Sequence, residues 1–131
     1  MVYINGMDFH LIQEKLVSGD RLLCRKWSEV EAEIAVQYYR NVLFLNKKYL
    51  SDYPVLPPML EVDEVWHQHI LDTRQYEADC QRIFGYYFHH YPYFGVRDDQ
   101  DLRRLEVAFE VIQHLHELEF GERMVSIWEM H

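Results

Sequence analysis

The chain has 131 residues, 49% of them hydrophobic, and 22 acidic against 13 basic side chains leave a formal charge of −9. That is enough for one domain with its own core, while the charge argues against the basic stripe that nucleic acid requires and against docking on anionic membranes, and no apolar run approaches the ~20 residues of a membrane span. Two cysteines, Cys24 and Cys80, are too few for a disulfide scaffold, and the opening stretch from Met1 to Gly6 lacks the regions of a signal peptide, so a soluble, reduced, cytoplasmic protein is expected.

Helical spacing runs through the segments between the glycines and prolines. A first helix is predicted from Asp8 to about Ser18, with Phe9, Ile12, Leu16 and Val17 as its apolar stripe and Gly19 as its stop. Ser28 followed by Glu31 spells a capping box, and Trp27 stands where an apolar staple belongs. The helix that follows reaches about Tyr49. Ala32, Ala35, Val36, Tyr39, Val42, Leu43, Asn46 and Leu50 give it a face broad enough for the centre of a bundle. After Pro54, Pro57 and Pro58 a third helix is predicted from Leu60 or Glu61 to Phe84, with Asp72-Thr73 as a site for a break and Gly85 as its end. Residues 86–98 read as an aromatic loop. Asp98, Asp99 and Asp101 then open a last helix that runs to about Phe120 and ends at Gly121. The tail from Glu122 to His131 is left open between coil and a short helical turn. The expected fold is an all-α compact bundle of about four main helices, one domain over residues 1–131, with an aromatic-rich loop before the last helix.

Chemistry-bearing residues concentrate between Asp63 and His90. At 3.6 residues per turn, Val62, Trp66, Ile70, Thr73, Cys80 and Phe84 line the expected core face. Asp63 and His67, four apart, stack on one edge of it, and His69 falls on the other edge near Tyr76. His67 and His69 point to nearly opposite sides and so cannot both bind one metal from a regular helix. A carboxylate beside an imidazole suits half of a metal site or an acid–base pair; the plainer reading is an ordinary ion pair. If the chain turns back after Gly85, His90 or His89 reaches His67, and Asp63, His67 and His90 become two imidazoles and a carboxylate, a set that suits zinc or iron. Cys80 and His116 are further candidates. Cys80 lies about 20 Å from His67 along a straight helix, within reach only if the helix breaks at Asp72-Thr73, and reads first as a small buried residue. His116 falls on the inward stripe of Leu105, Phe109 and Ile112 and reads first as a satisfied core histidine. A di-iron carboxylate site fails because Glu64-x-x-His67 has no second copy. No glycine-rich phosphate loop, Gly-x-Ser-x-Gly elbow or Cys-x-x-Cys pair occurs.

Tyr86, Tyr87, Phe88, Tyr91, Tyr93 and Phe94 crowd the loop. They read equally as a lid packed on the bundle and as a platform for a protein partner or a second copy of the chain.

The run Val62-Asp63-Glu64-Val65-Trp66-His67-Gln68-His69-Ile70-Leu71-Asp72-Thr73, followed by Tyr76, Cys80, Phe84-Gly85 and His90-Tyr91-Pro92, resembles the glycine-rich domain-containing protein-like family. That family occurs as short bacterial proteins and inside longer plant proteins. The segment Tyr39-Arg40-Asn41-Val42-Leu43-Phe44-Leu45 with Lys48-Tyr49 also fits, so the resemblance covers about residues 27–95. It implies a grouping of Asp63, Trp66, His67, Cys80, Gly85 and His90, variation at the position of His69, and no particular reaction. The plant glycine-rich tract is absent. Two functions of different class follow: a small helical protein with a zinc or iron site at Asp63, His67 and His90, or a non-enzymatic interaction module that uses loop 86–94.

Overall fold

The computed structural model describes residues 2–18, 27–49, 56–57, 59–89 and 98–126. Within them the helical runs become α1 (Val2–Gly6), α2 (His10–Val17), α3 (Glu29–Tyr49), α4 (Leu60–Leu71), α5 (Thr73–Ile83) and α6 (Asp99–Phe120). The all-α bundle of the sequence reading is therefore the fold. The additional element is α1, whose five residues are too few to show a helical period.

The start of α3 is built as its sequence prescribes. Ser28 N–H donates to Glu31 Oε1 at 2.8 Å, and Glu31 N–H donates to Ser28 Oγ at 3.1 Å. A cap of this kind contributes about 1 kcal/mol by satisfying amides that the first turn leaves open. Trp27 is buried just before it, and its N–H donates to the Leu16 carbonyl, which ties the end of α2 to the start of α3. Beyond the cap, α3 buries Ala32, Ala35, Val36, Tyr39, Val42, Leu43 and Asn46, and it packs against α1, α2, α4 and α6. It is the central helix, as its broad apolar face demands.

The long third run divides at Asp72, whose ψ of 75° leaves the helical region. α5 then folds back along α4. Trp66 Nε1 donates to the Tyr76 hydroxyl at 2.9 Å, although ten residues of straight helix would hold them about 15 Å apart. The break also corrects the expected core face. Val62, Trp66, Cys80 and Phe84 are buried, but Ile70 is only half-buried and Thr73 is exposed, because the core-facing stripe stops with α4 and restarts at a new angle on α5. At the end of α5, Gly85 adopts φ +82°, a left-handed value that a side chain disfavours, and its N–H donates to the carbonyls of Cys80 and Gln81.

α6 opens on Asp98, whose Oδ1 accepts from the Asp101 N–H at 2.7 Å, and it closes on Gly121 at φ +86°. The chain after it stays non-helical through Ser126 and returns along α6. Gln113 Nε2 donates to the Met124 carbonyl, and Met124 N–H donates to Gln113 Oε1. Lys48 and Tyr49 both reach Glu119 Oε1, which fastens the ends of α3 and α6 together. No described helix is long and apolar enough to cross a membrane.

Candidate functional site

α4 presents two different edges. On one, His67 Nε2 lies 3.3 Å from Asp63 Oδ2, an approach the four-residue spacing allows, and the His67 side chain is 52% exposed. On the other, the His69 side chain is 2% exposed. His69 is thus no edge residue: it sits in the middle of a buried face formed by Glu61, Val62, Val65, Trp66, Gln68 and His69.

His69 uses both ring nitrogens. Nε2 lies 2.7 Å from Asp79 Oδ2, and Nδ1 lies 2.7 Å from the Tyr39 hydroxyl. Asp79 Oδ1 accepts from the Tyr3 hydroxyl at 2.7 Å and from Gln75 Nε2 at 3.0 Å. Burial raises the Asp79 carboxyl, but the hydrogen bonds from His69, Tyr3 and Gln75 more than offset it and hold the group below the usual carboxylate range. Burial, reinforced by Tyr76, Cys80 and Asp79, pushes the Tyr39 hydroxyl well above its ordinary value. Tyr39 therefore keeps its proton and donates to Nδ1, while Nε2–H donates to the carboxylate. The network fixes one imidazole tautomer by its partners. It joins α1, α3, α4 and α5 through a single ring and a single carboxylate.

Aromatic rings wall this relay. Phe9 and Tyr76 meet the His69 ring edge to face, at centroid distances of 5.0 and 4.8 Å. The Tyr76 hydroxyl, which accepts from Trp66, donates in turn to the Phe88 carbonyl. Phe88 stacks on Trp66 and Phe84, so it belongs to the core, whereas Tyr86 and Tyr87 are exposed. Cys80 is a buried free thiol. Burial pushes it up, against the lowering effect of hydrogen bonding with the Phe88 backbone and Tyr76. The plainer reading of Cys80 is the one the packing follows.

His116 is a second saturated histidine. Asn41 Nδ2 donates to its Nε2 at 3.0 Å, and its Nδ1 donates to the Glu122 carbonyl at 2.5 Å. This is the opposite tautomer to that of His69, imposed by an amide donor where His69 has a carboxylate acceptor. His116 lies against α3 as a core histidine and takes no place beside His67. His89 is exposed, with its ring against Tyr87. His90, Tyr91, Tyr93 and Phe94 lie outside the described residues. Among the described residues no three of His, Cys, Asp and Glu gather as a metal site would require. A groove of about 370 Å³ lies apart from the relay, between α2 and α3, and is lined by His10, Gln13, Glu14, Val17, Glu29 and Glu33.

The relay was not visible as spacing, because residues 3, 39, 69 and 79 come from four helices. One signal pointed toward it: His69, Tyr76 and Asp79 are polar positions that a break at Asp72 turns toward one another.

Fold and site together define a small helical-bundle domain with a polar relay sealed in its core. Residues 9–118 match the family described as UCP032817-like, and the chain belongs to that family. No curated protein and no solved structure matches the chain.

Proposed function

We propose that the protein is a small helical metal-binding domain, with Asp63 and His67 as two donors of a zinc or iron(II) site and His90 as the third. The observation that supports this reading is the Asp63–His67 separation of 3.3 Å. Metal–donor bonds of about 2.0–2.1 Å set two donors of a tetrahedral centre about 3.3 Å apart. A charge-assisted hydrogen bond is shorter, about 2.7–2.9 Å. The pair stands on a partly exposed edge, with the imidazole open to solvent, so an ion can reach it without unfolding the core. The resemblance to the glycine-rich domain-containing protein-like family adds His90 to the same group. In this reading the domain works in the reducing cytoplasm, where the buried thiol of Cys80 stays free.

Calorimetric titration of metal-free protein with zinc and with iron(II) tests the reading. Binding of about one ion per chain, lost in both His67→Ala and His90→Ala, is the expected result. Equal binding by wild type and His67→Ala, or none by wild type, overturns it.

A second reading is favoured by the exposed rings of Tyr86 and Tyr87 on the turn after Gly85. There the domain is a non-enzymatic interaction module and the polar relay is structural glue. Self-association that disappears in a Tyr86→Ser, Tyr87→Ser double variant is its expected signature.

A further inference from the structure

α1 is too short to hold itself together, since isolated helices below about 12–15 residues are marginal in water. Its attachment to the bundle is therefore what orders it. Ile4 and Met7 sink into the core. The Arg40 guanidinium, from α3, donates to the carbonyls of Ile4 at 3.4 Å and of Asn5 and Met7 at 2.9 Å, so it clamps the end of the short helix, where the Ile4 carbonyl also accepts from the Met7 N–H. Tyr3 donates to Asp79, and Arg82 lies over the Tyr3 ring, 5.2 Å from its centroid.

α1 therefore covers the relay at the Asp79 end. Tyr39, His69 and Asp79 fall inside the span that matches the family, whereas residues 2–7 precede it. Few groups hold the cover in place. Among the described residues they are the Tyr3 hydroxyl, the Arg82 contact with its ring, the Arg40 contacts and two apolar side chains, set against a core in which His69, Tyr39 and Phe9 pack on one another.

We propose that residues 2–7 form a latch over the Asp79–His69 pair, one that releases as a unit while the rest of the bundle remains folded. Release removes one of the two donors to Asp79 Oδ1 and opens that end of the relay to solvent; Gln75 keeps the carboxylate partly satisfied. Local opening of this kind draws on the least stable part of a structure and leaves the core hydrogen bonds intact.

Deuterium exchange at the imidazole carbon, read by mass spectrometry on the full chain at its high-pH plateau, tests the latch. His116, buried and with its own partners in Asn41 and Glu122, serves as the internal reference. In Tyr3→Phe the exchange at His69 should rise about tenfold, with His116 unchanged. Arg40→Lys, which keeps the charge but loses the forked grip on three carbonyls, should act in the same direction. A rise at both histidines together would mean global unfolding and overturns the latch. So does an unchanged rate at His69 in both variants.

Discussion

His67 and His69 stand two residues apart on one helix, each beside a carboxylate, yet their pairs are different objects. Asp63 and His67 come from consecutive turns of α4 and meet by local geometry alone. His69 and Asp79 meet only because the chain reverses at Asp72, and their partners come from α1, α3 and α5. The first pair was readable from spacing, is partly solvated and leaves the imidazole accessible. The second is closed, with both ring nitrogens and both carboxylate oxygens engaged. One helix thus carries a partly exposed pair on its edge and one member of a fully engaged pair on its buried face.

Removing the buried imidazole sharpens that contrast most. His69→Leu removes the acceptor of the Tyr39 hydroxyl and the donor to Asp79 Oδ2. A buried polar group left without its hydrogen-bond partner typically costs about 1–3 kcal/mol, two groups are affected, and Tyr3 and Gln75 remain to serve the carboxylate, so a loss of about 3 kcal/mol is expected. Urea unfolding at neutral pH measures it. A loss below about 1 kcal/mol would mean that the relay is not what joins the helices.

How much of this was legible follows the range of each interaction. Ser28 with Glu31, Asp98 with Asp101, Gly85 and Gly121 act within one helical turn, and each bounded its helix where the structure does. The break at Asp72 was legible as a possibility. What it does was not, because the angle between two helices depends on packing that a local pattern does not contain. That angle makes His69 central instead of peripheral and exposes Thr73. The relay needed four helices to be placed at once. α1, five residues long, is too short to repeat an apolar stripe, and its order comes from Arg40 and Asp79, residues 35 or more positions away.

A smaller effect follows from the pH dependence of the buried carboxylate. Asp79 has its folded pKa lowered from 3.8. Its contribution is therefore fully present above that unfolded value and is lost as pH falls through the lower, folded value. Asp79→Asn should lose about 2 kcal/mol at neutral pH, the worth of a charge-assisted hydrogen bond in a buried site. It should also show a shallower fall in stability below about pH 4 than wild type does. Guanidinium unfolding from pH 7 to 2.5 compares the slopes. Parallel acid limbs for the two proteins would show that the Asp79 charge does not hold the relay.

The smallest expected change in stability is at His67, and its smallness makes it informative. The ring is about half exposed and its pairing with Asp63 follows the ordinary spacing of a helix surface, where such pairs contribute about 0.3–0.5 kcal/mol. His67→Ala should therefore shift the urea midpoint little while it removes the metal binding proposed for this edge. Only a site with one role in binding and almost none in folding gives both results together. If His67→Ala destabilised the bundle as much as His69→Leu, the exposed edge and the buried face of α4 would be one structural unit, and the division of labour between them would fail. If neither stability nor metal binding changed, the exposed pair would be an ordinary surface contact, and the functional residues would have to be sought elsewhere on the bundle.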